Sequence, residues 1–291
     1  MFWEQLINGL TLGSTYALIA LGYTMVYGII QLINFAHGEI YMFGAFAGLY
    51  LVTVGHVNIF VAMLGAMAFC MVLGIVVERI AYRPLRGKSS RLSALISAIG
   101  VSIFLSTLMA LLRGTNTTRF PEVFARHTYQ VGSVEMSSLQ VIILITSAVL
   151  MVGLQLMIMK TRIGKAMRAC SEDIDAAYLM GINVNRVISF TFAIGSALAA
   201  AGGVMVGLYY YAVWPYMGTM AGMKAFAAAV LGGIGSVPGA MVGGISLGIM
   251  EIFGVAYLSS SYKDAIAFAV LILVLIVRPQ GIMGKAISKK V

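Results

Sequence analysis

Lys160-Thr-Arg-Ile-Gly-Lys-Ala-Met-Arg-Ala-Cys-Ser-Glu-Asp-Ile-Asp-Ala-Ala-Tyr-Leu-Met-Gly-Ile-Asn-Val-Asn-Arg186 is a long polar island between two long apolar runs. Basic residues lead it: Lys160, Arg162, Lys165 and Arg168. Ser171 then stands at an N-cap position, with Glu172 and Asp173 in the first turn, where carboxylates suit the positive end of the helix dipole. Ile174, Ala177 and Tyr178 fall at i, i+3 and i+4 and form one small apolar face. Gly181 follows where a C-terminal cap belongs. The spacing predicts a helix within 171–181, about nine residues and roughly 14 Å long, lying outside the membrane. A plain connector needs neither two caps nor an apolar face, so this segment reads as one built to be gripped.

Working outward, 60% of the 291 residues are hydrophobic and 10% are charged, against about 25% charged in soluble chains. That excludes an ordinary soluble domain. The 33 glycines and 20 methionines suit helices packed closely in lipid, where small residues let backbones approach. Cys70 and Cys170 are too far apart in sequence and setting to suggest a disulfide framework, and with the three histidines they show no metal-ligand spacing. The N-terminus lacks a basic n-region, so the first apolar run is expected to persist in the mature chain. The net charge of +9 follows a membrane pattern rather than a nucleic-acid one.

A bilayer-spanning helix needs about 20 apolar residues. The runs at 6–33, 40–77 (divided near residues 54–58), 92–112, 139–159, 187–212 and 225–277 predict an all-α membrane protein, a polytopic bundle of about 8–10 transmembrane helices forming a single domain over 1–291. Trp214-Pro-Tyr216 reads as an interfacial anchor. Lys and Arg concentrate in the loop with Arg79, Arg83, Arg86, Lys88 and Arg91, in the central island, and in the tail with Arg278, Lys285, Lys289 and Lys290. The positive-inside rule therefore puts these on the cytoplasmic side and the N-terminus outside, leaving Arg113, Arg119, Arg126, Lys224 and Lys263 opposite.

Gly87-Lys88-Ser89 resembles the end of a phosphate-binding loop, but Tyr82 occupies the position that needs glycine. The chain has no visible means of binding ATP, and no catalytic residue is expected. Polar residues inside apolar runs are costly and face partners or aqueous paths. Asn34, His37 and Glu39 sit at a break that is either a surface turn or an interior interruption. Glu251 is either a pathway carboxylate or one satisfied by a neighbouring helix. Gly232, Gly233, Gly235, Pro238 and Gly239 interrupt a helix as a hinge near a pathway or as a packing seam; Gly239/Gly243 and Gly244/Gly248 at four-residue spacing favour the seam.

Taken with Thr11–Ala20, Gly28–Glu39, Glu78–Pro84, Leu95–Gly100 and the segment from Gly222 to Gly244, the chain resembles, end to end, the H-type (LivH-like) permease subunit of bacterial high-affinity branched-chain amino acid ABC importers. The resemblance implies an ABC importer permease fold with broken or re-entrant segments in the bacterial inner membrane, moving leucine, isoleucine and valine by alternating access. It implies as partners two ABC ATPase subunits, a second M-type permease and a periplasmic amino-acid-binding protein. ATP and Mg would sit on the ATPases, this chain would bind no cofactor, and its remaining contacts would be membrane lipid, with no nucleic acid. Such permeases carry Glu-Ala-Ala, three residues, then Gly in their coupling loop; Asp175-Ala176-Ala177-Tyr178-Leu179-Met180-Gly181 is similar, with Asp for Glu and without the apolar-Pro ending. By resemblance, 171–181 is the coupling helix. Two rivals remain at this level: an ion-coupled secondary transporter using Glu39 and Glu251, and a purely structural subunit.

Overall fold

The computed structural model describes residues 2–86, 91–124, 127–131 and 134–284. Gly87, Lys88, Ser89, Arg126, Lys285, Lys289 and Lys290, invoked above, lie outside these ranges. The chain runs through α1 (Phe2–Ile30), α2 (His37–Thr53), α3 (Ile59–Val77), α4 (Arg91–Arg113), α5 (Ser138–Lys160), α6 (Arg162–Glu172), α7 (Ile174–Leu179), α8 (Val184–Tyr210), α9 (Met217–Gly232), α10 (Val237–Tyr257) and α11 (Lys263–Val277). A π turn (Glu78–Tyr82) and a 3-10 turn (Arg83–Leu85) extend α3, and a second 3-10 turn (Ser260–Tyr262) leads into α11.

Among the described residues seven helical segments are long and apolar enough to cross a membrane, and α2 and α9 fall below that length. With 16 residues, α9 reaches about 24 Å at 1.5 Å per residue, short of the roughly 30 Å hydrocarbon core. The apolar windows of α1 and α8 are 83% buried, against 17% for α4 and 11% for the α11 segment. Helices apolar on all sides are either central or lipid-facing, and these figures sort them. Leu64 and Val72 of α3, Ile103, Phe104 and Leu111 of α4, Val149 of α5 and Ile276 of α11 point outward, as suits helices set in lipid.

The bundle's centre is drawn together by small residues. A Cβ on Gly244 would meet the backbone of Ala17, and one on Gly248 the backbone of Gly13, so α10 lies directly against α1. Gly239 and Gly243 instead face Gly232 and Ala228 of α9. The two glycine lines thus serve two neighbouring helices, and the expected seam is present.

The polar loop after α4 and the connector after α8 contain four short strands, β1 (Thr118–Arg119), β2 (Thr128–Val131), β3 (Val134–Ser137) and β4 (Ala212–Val213). β2 pairs with β3 and β1 with β4, both antiparallel, with Thr118 opposite Val213. Ser137 and Gln140 then form a capping box that starts α5.

Candidate functional site

The polar island folds as two helices rather than the single one expected over 171–181. The Thr161 side chain caps α6, accepting from the Gly164 N–H at 3.0 Å. Asp173 is extended (φ −157°, ψ 114°) and caps α7, its carboxylate accepting from the N–H groups of Asp175 and Ala176, both at 2.9 Å. Ser171 is therefore no cap: it lies in the last turn of α6 and donates to the Arg168 carbonyl at 2.7 Å. The correction has a simple cause. Helix α6 already runs through Glu172, so the next residue able to satisfy exposed N–H groups takes the cap. At the other end Gly181 does close the helix. Its φ is +82°, and Ile182 N donates to Ala177 O and Gly181 N to Tyr178 O, both at 3.0 Å, a Schellman pair.

The apolar face splits. Ala177 is 4% exposed, whereas Tyr178, Leu179 and Met180 are 71%, 83% and 82% exposed. Three large apolar side chains thus form a bare tip on a polar segment, the kind of patch that marks an interaction site. Behind the tip, Arg168 donates to the carbonyls of Ile158 at 3.1 Å and Met159 at 3.4 Å, closing the end of α5. Arg168 also lines a cavity of about 80 Å³ together with Gly28 and Gly235, so α6, packed against α1, faces the turn between α9 and α10 across that space.

In that turn Gly233 (φ +105°) and Gly235 (φ +93°) adopt conformations that favour glycine, Ser236 caps α10 and Pro238 sits in its first turn. The chain after α11 folds back onto the turn, with Ile282 N donating to Leu231 O and Met283 N to Gly232 O, each at 2.9 Å.

The break between α1 and α2 is interior, not a surface turn: Asn34, His37 and Glu39 are 2%, 1% and 0% exposed. Tyr82 OH donates to Asn34 Oδ1 at 2.8 Å, and the His37 ring lies against Gly22, in the C-terminal half of α1. Irregular backbone at such depth is tolerated where protein covers it. Glu39 Oε1 accepts from Thr219 Oγ1 of α9 at 2.9 Å and from Ser102 Oγ of α4 at 3.2 Å.

Glu251 sits elsewhere, in an ionic cluster. Lys224 Nζ lies 3.0 Å and Lys263 Nζ 3.4 Å from its Oε1, Tyr16 OH donates to it at 3.2 Å, and Lys224 also reaches Asp264 Oδ1 at 2.6 Å. Lys224, counted above among the residues opposite the cytoplasmic loops, lies within a helix and is buried. Helix α9 begins at Met217, which carries Lys224 into the bundle, where it is 4% exposed.

A third buried carboxylate, Glu78, has no counterpart among the expected site residues. It accepts from Ser189 Oγ at 2.7 Å and pairs with Arg86, with Arg83 Nε at 3.8 Å. Burial lowers the Arg86 pKa to about 10, which leaves it charged at neutral pH. The visible signal was an acidic residue beside a basic run. Among the described residues no three His, Cys, Asp or Glu side chains are grouped to hold a metal.

The family model described as "Branched-chain amino acid transport system / permease component" matches residues 5–275. The high-affinity branched-chain amino acid transport system permease protein LivH of Escherichia coli K12 is 49% identical over 303 residues, covering 100% of this chain and 98% of that one. BraD of Pseudomonas aeruginosa PAO1, a permease protein of the same description, is 47% identical over 302 residues with the same coverage. Among solved structures, PsaBC from Streptococcus pneumoniae in complex with Fab superposes with a TM-score of 0.53 at 14% identity, covering 96% of this chain and 92% of that one, a likeness of fold. The family match spans nearly all the membrane helices described above, and the chain belongs to the branched-chain amino acid transport system permease components.

Proposed function

We propose that this chain is the membrane permease subunit of an ATP-driven importer that carries leucine, isoleucine and valine across the bacterial inner membrane by alternating access. The observation that carries the reading is the bare Tyr178-Leu179-Met180 tip on a doubly capped helix pair. It supports docking of α7 in a groove of an ABC ATPase, a helix-in-groove contact. ATP and Mg belong to two such ATPases, and a periplasmic binding protein delivers the amino acid. A second, M-type permease completes the pathway. The central island faces the cytoplasm and the N-terminus the periplasm, as the placement of Lys and Arg supports.

Coupling runs through α6. A displacement of α7 passes to α5 through the Arg168 cap and to α1 through its packing against α6. The permease then acts as a two-state bundle biased from both ends. The ion-coupled alternative loses one of its two carboxylates, because Glu251 is matched by two lysines.

The test is uptake by the purified subunits reconstituted in vesicles. Leucine accumulation that requires ATP and the loaded binding protein is expected. Accumulation by this chain alone under an ion gradient, without ATP, overturns the reading.

A further inference from the structure

The three buried carboxylates of the bundle are not equivalent. Glu78 is paired with Arg86 and Arg83, and Glu251 with Lys224 and Lys263. Glu39, fully buried, has two hydroxyl donors on Oε1, no hydrogen bond on Oε2, and no ion pair among the described residues. A buried carboxylate is expensive unless a cation or sufficient donors meet it. In a membrane protein such a residue marks a site whose partner arrives from elsewhere.

The neighbouring surface indicates what arrives. Helix α9 is too short to cross the membrane unaided, and it begins after the non-helical segment 211–216, which holds β4, a construction tolerated where it lines a cavity or is covered by protein. Its outer face is Tyr216, Thr219, Met220 and Met223, at helical spacing and all exposed. The branched aliphatics that the outer helices turn toward lipid are absent from this face. Methionine is unbranched and polarizable, and adapts to apolar groups of varied shape. Thr219 joins the two features: it is exposed, and its hydroxyl covers the buried carboxylate.

Building on the permease reading, we propose that Glu39 receives the α-ammonium group of the amino acid in transit, while Met220 and Met223 of α9 receive its branched side chain. Rotation of Thr219 frees one of the two acceptor positions on Oε1, with Ser102 keeping the other, and the ammonium supplies the cation that Glu39 lacks. The contact is to the part that all amino acids share, beside a surface that accepts several aliphatic shapes. It is therefore a passage site, and selection among amino acids is left to the binding protein.

The test uses the complete importer in vesicles, with leucine moved per ATP hydrolysed as the readout. Removing a hydrogen bond to a charged group costs the equivalent of about tenfold or more, so Glu39→Gln is expected to lower that ratio by about tenfold, with partial retention in Glu39→Asp. Transport by Glu39→Gln at the wild-type ratio overturns the proposal. A second arm avoids any folding defect, since Met220 and Met223 are exposed and both native cysteines are buried. Maleimide labelling of Met220→Cys or Met223→Cys is expected to be slower with leucine-loaded than with empty binding protein. Equal labelling overturns the proposal. Loss of the second permease on purifying Glu39→Gln would also overturn it, because the missing cation would then belong to that subunit. If the unmodified importer moves no amino acid with ATP, the permease reading itself fails, a result distinct from these.

Discussion

Lys224 of α9 and Glu251 of α10 meet at 3.0 Å inside the bundle, with side chains 5% and 0% exposed. Breaking a buried pair by removing one partner costs about 3–5 kcal/mol. Lys224→Met is therefore expected to lower the thermal midpoint of the purified protein and its amount in the membrane together. Adding Glu251→Gln should restore part of the loss, because the carboxylate left with Lys263 as its one remaining lysine is gone. A double-mutant cycle of melting in detergent checks this, and strictly additive losses would show that the two residues do not act as a pair.

The caps of α7 make a sharper comparison. Asp173→Ala removes the acceptor of two N–H groups and should cost about 1 kcal/mol of helix stability. Ser171→Ala should cost far less, since Ser171 only bonds within the last turn of α6. ATP-driven uptake at equal membrane abundance is the measurement, with the order Ser171→Ala above Asp173→Ala expected.

Gly181→Pro should abolish ATP-driven uptake while leaving the protein in the membrane. Proline holds φ near −65° and lacks the N–H, whereas Gly181 needs φ +82° and donates to Tyr178. Gly181→Ala, with nothing within 4 Å of its Cβ, should cost only the left-handed penalty of about 1–2 kcal/mol and keep partial uptake.

Leu179→Ser and Met180→Ser should leave melting unchanged within about 0.5 kcal/mol, as is usual for surface positions. Co-purification of the ATPases should fall severalfold. Undiminished co-purification would remove the tip from the docking surface.

Gly244→Leu should remove the chain from the membrane, because its first side-chain atom already meets the backbone of Ala17. Gly153→Ala in α5 has open space around it and should be neutral or stabilising by up to about 1 kcal/mol. Immunoblots of membrane fractions and melting curves would compare the two.

The spans were legible because apolar length is a local property, and Gly181 because a left-handed cap is nearly reserved for glycine. The start of α7 was not. Ser171 and Asp173 both cap helices well, and choosing between them required knowing that α6 continues from Arg162 to Glu172. The partners of Glu251 were equally hidden. Lys224 lies 27 positions away, well beyond the three- and four-residue spacings that periodicity reveals, and its helix starts just after Trp214-Pro-Tyr216, which reads as a membrane boundary. Glu39 could be picked out as costly, but its neighbours Ser102 and Thr219 come from α4 and α9, far along the chain. Sequence identifies which residues are expensive to bury, and the three-dimensional packing determines which of them are compensated.

The glycine contact of α10 with α1 sets an order of events during synthesis. Gly13 leaves the ribosome long before Gly248, the residue whose Cβ position it fills. At about 5–20 residues per second the delay is roughly 10 to 50 seconds. Throughout that time the first helix to be made stands in the bilayer with its closest-fitting face unmatched. Assembly of this bundle therefore cannot proceed strictly from first helix to last: its centre closes only when the tenth helix comes back to the first.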